Sequence, residues 1–130
     1  MRSLGRVIPR LWADWSPGYD AREDVEHALA SLRGRARETA ALRYYRALFL
    51  PWMRQGEYAA EQAHAHAVPA EPLLYLYGED DGCLLPEISA RTLEVIAPGS
   101  RVEAIPGAGH FLHLERPDEV NTRIGAWLES

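Results

Sequence analysis

Two residues with complementary chemistry follow the two strand-like segments of this chain. Asp81 lies in the acidic turn after Leu73–Tyr77, and His110 follows the glycine-rich turn after Arg101–Ile105. A carboxylate that accepts from one ring nitrogen holds a histidine in the tautomer that a general base needs. Because parallel strands present their carboxyl ends at one edge of a sheet, the two side chains can meet there. We therefore predict an Asp81–His110 pair from a nucleophilic triad, with Asp80 as the rival acid.

The elements that must position this pair begin after Pro72. From there the sequence alternates strand, helix, strand and helix, which is typical of an α/β layer. The first helix is predicted from Pro86 to Ile96. The last is predicted to begin at Pro117, because the fixed φ of proline suits the first helical position. Its apolar stripe (Val120, Ile124, Trp127 and Leu128) predicts that it lies on the sheet.

The residues before the sheet are predicted to be mainly helical. Apolar spacing indicates one helix that ends near Gly34 and a second from about Arg35 to Phe49. The second has a broad side that we expect to be buried: Ala36, Ala40, Ala41, Tyr44, Tyr45, Leu48 and Phe49. Met1–Asp20 has no sustained period and is predicted to be irregular. Its Trp12 and Trp15 are candidate packing residues or walls of a substrate pocket.

Composition excludes several classes of function. The 130 residues are 47% hydrophobic and 25% charged, as in a soluble globular protein, and the net charge of −5 with dispersed arginines argues against nucleic-acid binding. No apolar run approaches the ~20 residues that span a bilayer, and no signal peptide is evident, so we expect a cytoplasmic protein with no membrane partner. With Cys83 as the single cysteine, and His64 and His66 on different sides of a helix, no metal site is expected.

Two segments resemble the C-terminal half of the α/β-hydrolase superfamily. PLLYLYGEDDGCLLPE is similar to the strand and turn that bear the triad acid, and VEAIPGAGHFLHLERPDEV is similar to the turn and helix that bear the triad histidine. The resemblance implies that Asp81 and His110 are catalytic. It also implies a partial α/β-hydrolase fold, in which a helical cap segment precedes the last two parallel strands and their flanking helices, and it implies no cofactor.

The region before the sheet resembles the cap that some members insert over the active site. RLWADWSPGYD and AALRYYRALF carry this likeness, which divides the chain into a cap-like segment (1–68) and a C-terminal hydrolase segment (69–130). LRYYR resembles the tyrosine-bearing cap helix of the epoxide-hydrolase branch. The likeness implies that Tyr45 donates to an epoxide oxygen, with Trp12 and Trp15 as further substrate-binding candidates. The alternative is that Tyr44 and Tyr45 only pack within the cap.

The superfamily's nucleophile lies in a Gly-x-Ser/Asp/Cys-x-Gly elbow upstream of the cap, and we predict that no serine, aspartate or cysteine of this chain has that glycine spacing. Cys83 is a poor substitute, because no basic neighbour would lower its thiol pKa. We therefore expect the C-terminal part of a hydrolase that acts on a small ester, amide or epoxide in the complete enzyme. The alternative is a truncated, non-catalytic fragment or interaction module. In either case the exposed edge of a two-stranded sheet predicts self-association.

Overall fold

The computed structural model describes residues 4–50, 56–64 and 67–130. The chain forms two compact units: a helical unit (Met1–Ile8 with Arg22–Ala67) and a sheet unit (Pro9–Ala21 with Val68–Ser130). By packing, residues 9–21 therefore belong with the sheet. The division at residue 68 that the resemblance implied stays a prediction.

The helical part of the chain consists of α1 (Leu4–Trp15), α2 (Arg22–Ser31), α3 (Arg35–Phe49), a 3₁₀ turn (Gly56–Tyr58) and α4 (Ala59–His64). Helix α4 carries His64, whereas His66 lies outside the described residues. The bounds of α3 are those that the apolar spacing predicted.

The prediction of an irregular first segment is wrong. Residues Leu4–Trp15 form a continuous helix with Pro9 in its interior, and a turn follows at Ser16–Gly18. A proline costs a helix one internal hydrogen bond. The helix nevertheless has a single apolar face, made of partly buried residues at helical spacing: Leu4, Ile8, Leu11, Trp12 and Trp15. This spacing was visible in the sequence, but it was overlooked because the glycines and prolines of the segment were taken as signs of irregular structure.

The predicted burial of α3 is also wrong. Tyr44, Tyr45 and Phe49 are 69%, 56% and 74% exposed, although they lie on the side expected to pack. Helical spacing shows that a helix has an apolar side, but it does not show that another element covers that side.

The sheet has two parallel strands, β1 (Leu74–Gly78) and β2 (Arg101–Ile105), in a register that pairs Leu74 with Arg101 and Gly78 with Ile105. Both strands therefore end level with each other, at the same edge of the sheet. This arrangement confirms the predicted α/β class and the two predicted strands.

Short helices connect and follow the strands: α5 (Pro86–Ala90), a 3₁₀ turn (Arg91–Glu94), α6 (Leu112–Glu115) and α7 (Pro117–Leu128). The helix predicted over Pro86–Ile96 is shorter than expected, since it changes to 3₁₀ geometry at Arg91. Helix α6 was not predicted, because four residues are too few to show a period.

The core of the sheet unit is small. Ile105, Ala108 and Val120 are buried, with Leu76 and Leu112 packed against them. The α7 stripe is covered in part: Val120 is buried and Trp127 partly buried, whereas Ile124 is 41% and Leu128 78% exposed. Polar contacts hold α7 on β2: Arg123 donates to Glu103 at 2.8 Å, and the guanidinium of Arg101 lies 5.3 Å from the ring centre of Trp127.

Candidate active site

The turn after β1 is organised around the carboxylate of Asp81. Asp81 is 6% exposed, and its Oδ1 accepts from the backbone N–H groups of Cys83 at 2.7 Å and Leu84 at 3.0 Å. An aspartate that accepts from the backbone two and three residues later stabilises a tight turn locally. These two bonds fix the orientation of the carboxylate and leave Oδ2 for another partner.

That partner is the imidazole of His110. Its Nδ1 lies 3.0 Å from Oδ2 and 3.2 Å from Oδ1 of Asp81. An ionised carboxylate can only accept, so Nδ1 carries the proton and donates, and in the neutral ring Nε2 keeps a lone pair. Nε2 forms no hydrogen bond with any residue that the structure describes. The His110 side chain is 27% exposed, so this lone pair is held in place and remains accessible.

Backbone hydrogen bonds join the two turns. The N–H of Asp80 donates to the carbonyl of Ala108 at 2.9 Å, and that of Glu79 donates to Ile105 at 3.2 Å. The side chain of Asp80 is exposed, while that of Asp81 contacts the ring. Of the two candidate acids, Asp81 is therefore the one that the structure brings to His110.

The C-terminal end of α1 connects the turns a second time. The carbonyl of Trp15 accepts from the N–H of Gly82 at 3.2 Å and from that of His110 at 3.0 Å. This close approach requires glycine. A Cβ on Gly82 would collide with the carbonyl of Asp14, and one on Gly109 would lie 2.5 Å from the Cα of Ser16. Sequence reasoning missed this backbone role of Trp15, because carbonyl contacts leave no residue pattern.

The side chains of Trp12 and Trp15 surround His110 and the residue after it. Trp15 meets the imidazole edge-on, with ring centres 5.0 Å apart, and Trp12 stacks on Phe111 at 3.7 Å. Both tryptophans are partly buried. Trp15 therefore restricts the histidine ring and Trp12 packs on its neighbour, which fits the packing interpretation. A substrate contact for either residue stays a prediction.

Tyr45 belongs to the helical unit. Its side chain is 56% exposed, and its ring meets that of Tyr44 edge-on at 5.6 Å. No hydrogen bond fixes its hydroxyl among the described residues. Its role towards an epoxide stays a prediction.

The prediction that no residue has the glycine spacing of a nucleophile elbow is wrong at one position, in the acid turn itself. Asp80 lies between Gly78 and Gly82, two residues from each. The geometry is not that of an elbow. An elbow is a strained strand-to-helix turn, whereas no described residue other than glycine has a positive φ, and the next helix begins only at Pro86. The aspartate in this pattern is therefore part of the acid turn.

Cys83 is exposed, and the pKa of its thiol is raised, first by desolvation and then by the negative charge of Asp81. A raised pKa lowers the fraction of thiolate, which is the nucleophilic form.

Within the described residues no group of three or more histidine, cysteine, aspartate or glutamate side chains could hold a metal ion. No helix in the same part of the chain is long and apolar enough to cross a membrane.

Comparison with known proteins decides the family. A model described as the alpha/beta hydrolase family matches residues 1–123. The chain belongs to the alpha/beta hydrolase family. The two-stranded parallel sheet and its helices are accordingly a part of the alpha/beta hydrolase fold. No solved structure gives a significant match.

Three curated relatives are similar to parts of this hydrolase chain. The biotin biosynthesis bifunctional protein BioHC of Teredinibacter turnerae is 41% identical over 45% of the chain and 10% of its own length. The carboxylesterase YbfK of Bacillus subtilis is 33% identical over 44% of the chain and 19% of its own length. Epoxide hydrolase A of Mycobacterium tuberculosis is 29% identical over 86% of the chain and 33% of its own length. The chain thus spans a third or less of these relatives.

Proposed function

We propose that this chain supplies the acid and base of a hydrolytic site. The observation that carries the proposal is the 3.0 Å contact between Oδ2 of Asp81 and Nδ1 of His110, with Nε2 left without a partner among the described residues. In this role Nε2 takes the proton of an attacking hydroxyl group or water, and the resulting imidazolium is stabilised by the adjacent carboxylate. Asp81 stays ionised throughout and acts by orientation and charge.

The nucleophile of the proposed site is a serine or an aspartate that the rest of the complete enzyme supplies, from outside residues 1–130. It would attack the carbonyl carbon of a small ester or amide and displace the alcohol or amine, which leaves with a proton from His110, or it would open an epoxide ring, whose oxygen takes up a proton. Water activated by His110 would then cleave the covalent intermediate. The names of two relatives, a carboxylesterase and an epoxide hydrolase, support these substrate classes. In the epoxide case, the hydroxyl of Tyr45 would donate to the epoxide oxygen. The proposal needs no cofactor, and it includes the cytoplasmic location predicted from the sequence.

A chimera tests the proposal. In it, residues 1–130 replace the matching segment of epoxide hydrolase A from Mycobacterium tuberculosis. We expect the chimera to hydrolyse an aryl epoxide, and His110→Ala to lower kcat/KM by about 10²- to 10⁴-fold, the usual contribution of a general base. The matched control is His113→Ala, which removes an exposed imidazole three residues later and should leave the rate unchanged.

A chimera that stays folded by its thermal transition and keeps its rate after His110→Ala would refute the role of His110. A loss of similar size in the His113→Ala control would mean that the substitution, rather than the missing base, causes the defect.

The alternative is a non-catalytic fragment that associates through its uncovered surface. Strand β1 pairs only with β2 in the described sheet, and the segment after the acid turn exposes large apolar side chains: Leu84, Leu85, Ile88, Leu93 and Val95. Free strand edges and apolar surface both favour association. Sedimentation of the 130-residue chain should then reveal species larger than a monomer. Ile88→Glu, at a position 65% exposed, should reduce them, and a cooperative monomer would contradict this alternative.

A further inference from the structure

The backbone around His110 is held by Trp15 and Ser16, which are distant from it in sequence, and by Glu115, which follows it by five residues. The three successive N–H groups of Gly109, His110 and Phe111 do not take part in the sheet. They donate, in that order, to Oε2 of Glu115 at 2.8 Å, to the carbonyl of Trp15 at 3.0 Å and to Oγ of Ser16 at 3.2 Å. Each of these donors would be costly to leave unpaired where water is excluded.

Glu115 is the centre of this arrangement. While Oε2 accepts from Gly109, Oε1 accepts from the hydroxyl of Ser16 at 2.7 Å. Ser16 is 1% exposed, so its hydroxyl has no alternative partner in water. Its only proton goes to Glu115, which leaves an oxygen lone pair for the N–H of Phe111. The carboxylate therefore fixes the direction in which the Ser16 hydroxyl donates.

We propose that Glu115 and Ser16 are positioning residues that set the ring of His110 against Asp81. They accept hydrogen bonds from the N–H groups of Gly109 and Phe111, on either side of His110, and these bonds fix the position of the His110 Cα. The inference rests on the proposed function, since positioning of the ring matters to a reaction only if the ring acts as a base. For such a base, a displacement of about 1 Å can cost roughly 10²-fold in rate.

The test uses the 130-residue chain with 15N-labelled histidine. NMR correlations between ring protons and ring nitrogens report the tautomer of neutral His110 at about pH 8.5, where an ordinary imidazole is uncharged. The signal of His110 is assigned by its loss in His110→Ala. We expect the unchanged chain to show the Nδ1–H tautomer, with a slowly exchanging Nδ1 proton protected by Asp81.

In Ser16→Ala and Glu115→Ala, we expect at least about tenfold faster exchange of the Nδ1 proton and a larger share of the Nε2–H tautomer. Glu115→Gln should have a smaller effect. Its amide carbonyl can still accept from Gly109, and its NH₂ group can donate to Ser16. The matched control is Glu103→Gln, which alters a half-buried carboxylate bonded to Arg123 in the same unit and should leave the His110 signals unchanged.

Backbone amide exchange separates positioning from general loosening. Ser16→Ala should speed exchange at Phe111 while leaving the N–H groups of β1 protected. If an alanine variant does not fold, the proposal is tested by comparing Glu115→Gln with Glu103→Gln, because both substitutions keep the shape of the side chain. The proposal is overturned if the His110 signals are unchanged in the folded Glu115 and Ser16 variants, or if Glu103→Gln changes them equally. A chimera without His110-dependent hydrolysis would instead refute the function and leave this result standing.

Discussion

Replacement of Asp81 by asparagine should reverse the tautomer of His110. In the unchanged chain, Oδ1 accepts from the N–H groups of Cys83 and Leu84, and Oδ2 faces Nδ1 of the imidazole. In Asp81→Asn, the remaining carbonyl oxygen must stay with the two backbone donors. The NH₂ group then occupies the place of Oδ2 and faces Nδ1. Two donors cannot bond to each other, so the ring proton should move to Nε2.

The magnitude follows from the type of hydrogen bond. A bond to a charged group contributes about 1.5–3 kcal/mol, which corresponds to a roughly 10- to 150-fold preference for the Nδ1–H tautomer in the unchanged chain. A neutral bond contributes about 0.5–1.5 kcal/mol, so Asp81→Asn should favour the Nε2–H tautomer by roughly 2- to 13-fold. With its proton on Nε2, neutral His110 cannot act as a base towards a group on that side.

The assay is ring-nitrogen NMR of the 15N-histidine-labelled chain at about pH 8.5. The control is Asp80→Asn, which removes the neighbouring exposed carboxylate and should leave the tautomer unchanged. Persistence of the Nδ1–H form in Asp81→Asn would show that the Asp81 carboxylate does not set the tautomer, as would an equal effect of Asp80→Asn.

Two further expectations concern Cys83 and Arg123. Desolvation and the charge of Asp81 raise the pKa of the Cys83 thiol, so its alkylation by iodoacetamide should reach half of its maximal rate at a higher pH than the alkylation of free cysteine. Asp81→Asn should lower this midpoint pH. A midpoint at or below that of free cysteine would contradict the raised pKa. The pKa of Arg123 is raised by its hydrogen bonds to Glu119 and Glu103. Arg123→Met should cost about 1 kcal/mol and speed amide exchange in β2 roughly fivefold, whereas Arg91→Met, which removes an exposed ion pair, should change it little; equal effects would contradict a specific role of Arg123.

The sequence predicted those parts of the fold that have a local signal. Strand β1 is a short apolar segment, β2 alternates charged and apolar residues, both are followed by glycine-containing turns, and α7 begins at a proline. Their patterns were sufficient to place Asp81 and His110 at one edge of a sheet. Helix α1 was missed because Pro9 and the flanking glycines obscured an apolar stripe at helical spacing. The burial of α3 was misjudged because helical spacing shows that a helix has an apolar side, but it does not show whether another element packs on that side.

The supports of the candidate site could not be predicted in the same way. Ser16 and Glu115 are 99 residues apart, and their hydrogen bond follows from how the end of α1 packs on the turn after β2. The carbonyl of Trp15 contributes through the backbone, which no residue type encodes. The carboxylate of Asp81 was predictable because its turn bonds are local, whereas the arrangement around His110 depends on contacts over long sequence distances.

The proposal that Asp81 and His110 are the acid and base of a site whose nucleophile lies outside residues 1–130 is tested by hydrolysis of a p-nitrophenyl acyl ester by the purified 130-residue chain. We expect the rate to equal that of His110→Ala. Turnover that disappears in His110→Ala would contradict it, because it would show that the chain contains a complete hydrolytic site.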